Sequence, residues 1–85
     1  MRVLDMTERL SILEKVSPLA LTADGFDAAI VGTFNRDGTV VVLYDIDLCI
    51  DALQTQGITD RSEAEEYFYF NTYDAYVGIG TPEFC

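Results

Sequence analysis

The stretch "AAIVGTFNRDGTVVVLYD" (residues 28–45) holds two β-branched, apolar runs separated by "NRDG". Asp-Gly between such runs is a strong hairpin signal, because glycine accepts the positive φ that a tight turn needs. The pattern predicts strands over 28–34 and 39–45, joined by a turn at 35–38. Val40, Val42 and Tyr44 then face one way, and Val41 and Leu43 the other. Apolar side chains on both faces place the second strand centrally or under cover on both sides. Gly32, inside the first strand, marks a bulge or a close backbone approach.

Working outward, "MTERLSILEKV" (6–16) carries Met6, Leu10, Leu13 and Val16 at helical spacing, with Thr7 as a cap. Pro18 ends this helix near Ser17, since the residue before proline avoids the helical region. "TADGFD" (22–27) is turn chemistry. After the hairpin, Asp45 or Asp47 caps a helix over 46–56 whose stripe is Ile46, Cys49, Ile50 and Leu53, and Gly57 closes it. A further helix opens with Thr59 as N-cap and Ser62 as a second candidate, and runs over 60–73. Its apolar face is Ala64, Tyr67, Phe68, Asn71 and Ala75. The expected fold is α+β: an antiparallel hairpin or small sheet packed by two or three short helices, in one domain over residues 1–85.

The 85 residues include 15 acids and 5 bases, a net charge of −10. The imbalance is lopsided: residues 1–40 carry net −2, and residues 41–85 carry net −8 with Arg61 as their one base. Such a surface repels phosphate backbones and anionic lipid, which argues against direct binding of nucleic acid or membrane. It permits a basic protein partner, or it only keeps the domain soluble. No apolar run reaches the roughly 18 residues that span a bilayer. The first residues are too charged for the apolar core of a signal peptide, so a cytoplasmic protein is expected. Of the two cysteines, Cys49 fits a buried thiol and Cys85 an exposed free one.

Chemistry is constrained mainly by what is missing. Without histidine there is no Ser-His or Cys-His nucleophile pair and no imidazole metal site. "DIDLCIDALQTQ" (45–56) starts like a calcium loop but has Ile50 where glycine is needed and Gln56 where glutamate is needed. "GIG" (78–80) lacks the lysine of a phosphate-binding loop. The pairs Glu65/Glu66 and Asp45/Asp47 show no sign of the burial that tunes a carboxylic acid. The reading is a non-enzyme without cofactor or metal.

Residues 63–76, "EAEEYFYFNTYDAY", gather six aromatic rings beside carboxylates. Either the rings cover the hairpin and the first helix, or Tyr69, Tyr73 and Tyr76 are exposed anchors of a docking surface. Apolar surface in excess of what a small sheet needs also raises the expectation of a homodimer. Asn71, amid these rings, is expected to bond the irregular "AYVGIG" backbone or to touch a ligand.

"YDIDLCIDAL", "GIT", "EAEEYFYFN", "AYVG" and "TPEF" together resemble the ending of a family of small uncharacterised proteins of tailed bacteriophages. The resemblance covers residues 30–85 and leaves residues 1–29 outside. The chain departs from the pattern in "DRSEAE" and in "GIGTPEFC". The resemblance implies phage origin and a fold, but no chemistry.

Two functions follow as expectations. In one, a phage-encoded binding module or inhibitor engages a basic groove of a host or phage protein. Asp45, Asp47, Asp51, Asp60, Glu63, Glu65, Glu66 and Asp74 would stand in for phosphates, with Tyr69 and Tyr73 as anchors. In the other, the chain is an assembly accessory of the phage particle or a small-ligand binder, and its acidity only solubilises it.

Overall fold

In the computed structural model, which describes residues 4–73 and 77–85, Asp37 and Gly38 both take positive φ, 50° and 93°. They connect β1 (Ile30–Arg36) to the antiparallel β2 (Thr39–Tyr44), with Arg36 opposite Thr39. A two-residue link of this kind matches the right-handed twist of the strands it joins. Asn35 secures it by accepting the Gly38 N–H at 2.8 Å. The register skips between Ile30 and Gly32, so of the two readings of Gly32, a bulge or a close backbone approach, the strand shows the bulge. The first strand starts at Ile30 rather than Ala28, because Asp27–Ala29 coil into a single 3₁₀ turn. The Ala29 carbonyl then accepts the Asp45 N–H at 2.9 Å and closes the base of the hairpin.

β2 is central, as its two apolar faces require, but its second neighbour comes from an unexpected place. The chain's end supplies β3 (Glu83–Phe84), parallel to β2, with Leu43 opposite Glu83 and Tyr44 opposite Phe84. Cys85 continues the ladder: its N–H donates to the Tyr44 carbonyl at 2.9 Å and its carbonyl accepts the Ile46 N–H at 2.8 Å.

Three helices surround this sheet. α1 (Met6–Lys15) is capped by Asp5 rather than Thr7, in a reciprocal box with Glu8. α2 (Ile46–Thr55) is capped by Asp45, whose carboxylate accepts the Leu48 N–H at 2.8 Å. It ends before Gly57 at φ 123°. α3 (Arg61–Phe68) is capped by Asp60, not Thr59 or Ser62; the Ser62 N–H donates to Asp60 at 2.8 Å.

The expected helix over 60–73 does not stay α-helical. Residues Tyr69–Tyr73 form a π-helical turn. A wider turn changes which residue returns to a given face. Tyr73, rather than Asn71, therefore comes back towards Phe68 and Phe84, its ring 6.2 Å from each. Asn71 is exposed, and its Nδ2 donates to the Tyr67 carbonyl at 3.1 Å; of the 75–80 backbone it was expected to bond, residues 75 and 76 lie outside the described residues. Tyr67, also expected on the apolar face, is exposed, and Ala75 lies outside the described residues.

The core joins Ile30, Val42 and Tyr44 of the hairpin to Cys49, Ile50 and Leu53 of α2 and Ala64 and Phe68 of α3. Ile12 and Leu13 of α1, and Val16 just after it, pack against it. Phe68 is the hub of its rings: Phe84 lies at 5.3 Å and Phe26 at 6.2 Å, both edge-on. On the other face of β2 the buried Val41 pairs with Phe34. Arg36 reaches from that face to the tail, donating to the Ile79 and Thr81 carbonyls at 3.1 and 2.6 Å and pairing with Glu83 at 3.8 Å. Gly80 presses on the 19–21 segment so closely that a Cβ there would land on the Leu19 carbonyl. Among the described residues no helix is long and apolar enough to cross a membrane.

Candidate functional site

The acidic residues of the second half do not form one surface. Asp45 is only 4% exposed and its carboxylate is committed to capping α2, so it is removed from any docking role. Asp45 also corrects the expectation that neither Asp45 nor Asp47 is buried. Asp47 and Asp51, on α2, and Glu65, on α3, converge on Arg61. Asp51 bonds the guanidinium at 2.7 Å, while Asp47 and Glu65 stand at 3.7 and 3.8 Å. The Gln54 side-chain oxygen accepts from the same group at 3.0 Å. Bonding to Asp51 and the surrounding carboxylates raises the Arg61 pKa, so the guanidinium stays charged. The single base of residues 41–85 is thus spent on fastening α3 to α2. Asp60 caps α3. Asp74 and Tyr76 lie outside the described residues.

What remains is the outer side of α3 and its π-helical extension. Glu63, Glu66, Tyr67, Tyr69, Phe70 and Asn71 line a shallow, open depression of about 580 Å³. Neither Glu63 nor Glu66 pairs with a base among the described residues. Phe70 is 86% exposed, and Tyr67, Tyr69 and Tyr73 are each about half exposed. Tyr69 and Tyr73 are not free-standing anchors: they pack edge to face at 5.3 Å, and Tyr69 sits 5.3 Å from Phe68. They are the shoulder between the core and the surface, whereas neither Tyr67 nor Phe70 has a ring partner among the described residues. Neither Tyr67, which the sequence pattern puts on the apolar face, nor Phe70, which it leaves outside that face, is among the anchors expected from the sequence, although Glu63, Tyr67 and Phe70 stand at i, i+4 and i+7, the spacing of one helix face.

Nucleophilic chemistry finds little support here. Burial pushes the Cys49 thiol up to about 12, with Asp45 and Cys85 adding to the shift. Cys85 is raised too, by partial burial and then by Asp45 and Glu83. Both thiols are therefore protonated at neutral pH and poor nucleophiles. Burial likewise raises Tyr44, even though its hydroxyl accepts the Ala23 N–H at 2.8 Å. Among the described residues no cluster of three or more Cys, Asp or Glu side chains is placed to hold a metal ion. The outer side of α3 offers rings and carboxylates for contact.

No protein-family model, curated protein or solved structure matches the chain.

Proposed function

We propose that the chain is a protein-binding module that works through the outer side of α3, and that it is encoded by a tailed bacteriophage, as the pattern of residues 30–85 implies. The observation that carries this reading is Phe70, a large ring 86% exposed among three half-exposed tyrosines. A contiguous exposed ring cluster beside carboxylates is costly to keep in water and suits an interface. The partner is a host or phage protein with a basic surface, because the net charge of −10 repels nucleic acid and anionic membrane alike.

Inhibition by imitation of nucleic acid is a narrower form of the same reading. It asks for an ordered row of free carboxylates, and Asp47, Asp51 and Glu65 are instead gathered around Arg61, which offsets one of their three charges. Glu63 and Glu66 are left to act with the rings. General protein binding therefore has more support than mimicry.

A second reading, an assembly accessory of the phage particle or a small-ligand binder, is favoured by another exposed apolar group. Leu19, Leu21, Val77 and Ile79 stand around the junction where the Leu21 N–H meets the Gly80 carbonyl. The two readings separate by capture from infected host extract across a salt series, using the full chain and its Phe70→Ser and Leu19→Ser/Leu21→Ser variants. Loss of a basic partner on Phe70→Ser, and with rising salt, supports the α3 surface. Capture of particle proteins that follows Leu19 and Leu21 and ignores Phe70 would overturn it.

A further inference from the structure

The outer side of α3 has an order that limits what can sit on it. Glu63 and Glu66 occupy its first half, and Tyr67 and Phe70 its second. Together they cover two turns, roughly 12 Å at the helical rise. This ridge is built on helical backbone whose own groups are bonded within it. It therefore presents side chains and no row of free N–H or C=O groups. An extended peptide laid across Tyr67 and Phe70 would leave its backbone unsatisfied against rings, which is costly. A partner that arrives with its backbone already bonded avoids that cost, and a helix is the simplest such partner.

Charge selects further. Covering Glu63 and Glu66 without a cation would strand two carboxylates out of water. A second copy of this chain is poorly matched to the ridge: its net charge of −10 repels it, and the one base of its acidic half, Arg61, is bound by Asp47, Asp51 and Glu65. Resting on the binding-module reading above, we infer that the ridge takes a basic amphipathic helix of a partner protein. Its lysines or arginines meet Glu63 and Glu66, and a large apolar side chain packs on Phe70 and Tyr67 one turn away. A guanidinium at that boundary can also lie over the Tyr67 ring, which favours arginine over lysine.

The test uses the full chain and a fluorescein-labelled helical peptide of about four turns, with arginines on one turn of a face and leucines on the next. Controls are a scrambled peptide of the same composition and a peptide with glutamate in place of arginine. Expected is saturable binding, seen as anisotropy, that is weaker for the scrambled peptide and absent for the acidic one. Phe70→Ser should weaken it about thirtyfold, the loss typical of a central interface ring. Glu63→Lys/Glu66→Lys should weaken it by a comparable factor and flatten its salt dependence, whereas Asp47→Asn, on the Arg61 side, should leave it unchanged. Both ridge variants alter exposed side chains, and an unchanged far-ultraviolet dichroism spectrum verifies that they remain folded.

Equal binding of ordered and scrambled peptides, indifferent to Phe70→Ser, would reduce the effect to bulk charge and overturn the inference. So would self-association in light scattering that Phe70→Ser abolishes, because the occupant would then be a second copy. If no peptide binds while a partner from extract is still lost on Phe70→Ser, the binding-module reading stands and the helical occupant falls.

Discussion

α3 has two sides that use the same kind of side chain for opposite ends. On the inner side Phe68 is fully buried, with Phe84, Phe26 and Tyr69 rings around it. On the outer side Phe70, two residues away, is 86% exposed. Composition treats the two phenylalanines as equals. Their energetic roles differ because only the inner ring loses its water on folding, and apolar stabilisation scales with the area removed from water. The outer ring contributes little to the fold, which leaves it available for contact.

Truncation should expose this contrast most strongly. Phe68→Ala removes the hub of the core and is expected to cost about 3–5 kcal/mol. Phe70→Ala should stay within about 0.5 kcal/mol of the parent chain. Urea unfolding of the two variants side by side measures both, and comparable losses would abolish the distinction between the two sides.

Gly80→Ala probes a contact far from α3, where the tail presses on the 19–21 segment. The added methyl meets the Leu19 carbonyl, which is backbone and cannot rotate away. A loss of about 1–3 kcal/mol is expected in the same assay. Gly38→Ala serves as a turn control, since its Cβ meets nothing within 4 Å but must accept φ 93°. A smaller loss for Gly80→Ala than for Gly38→Ala would mean that the tail is not docked as described.

A proton is a gentler probe of the inner side. The Cys49 thiol is pushed from 9.0 up to about 12 by burial, then by Asp45 and Cys85. The unfolded chain therefore releases this proton first as pH rises. The stability that Cys49 confers is complete below about pH 9 and is lost between there and about pH 12, at on the order of 1 kcal/mol per pH unit. Tyr44 is shifted in the same direction and adds to the decline at the alkaline end. Urea midpoints at about pH 8 and about pH 10.5 should fall with pH, and Cys49→Ala should make the fall shallower. An unaltered slope in Cys49→Ala would show that the thiol is not held protonated.

Arg61→Ala is expected to do least to the fold. The guanidinium is partly exposed, and pairs in water are weak and screened by salt. A small drop in midpoint at low salt should vanish at high salt. On the functional side the same variant sharpens the comparison, because it frees Asp47, Asp51 and Glu65. If binding of a basic partner rises and becomes indifferent to Phe70, the acidic cluster rather than the ring ridge is the docking surface.

Much of this architecture is written locally. The Asp37–Gly38 turn, the bulge at Gly32, the Asp45 cap, the Cys49–Ile50–Leu53 stripe and the stop at Gly57 all follow from the residues within a few positions of each. The Asp5–Glu8 box was equally local, but Thr7 competes with it on paper and only the observed hydrogen bonds decide between them. The candidate site was less legible. Ten side chains read as one acidic and aromatic surface were divided by contacts between elements: Asp45 went to a buried cap, three carboxylates to Arg61, and Tyr69 and Tyr73 to the shoulder of the core.

By itself the sequence determined the hairpin, its twist-matched turn, two of the helix boundaries and the strongly acidic second half, because each depends on backbone geometry or on charge that residues carry wherever they sit. Tertiary structure alone decided that residues Glu83–Phe84 become a parallel third strand and that Phe26 and Phe84 join the core. It also decided that Arg36 ties the tail to β1. Those outcomes depend on which groups meet across more than forty residues of chain, from Arg36 to Thr81 or from Tyr44 to Cys85. A two-residue strand has no local stability of its own. It forms only where β2 already offers an open edge and the docked tail fills it.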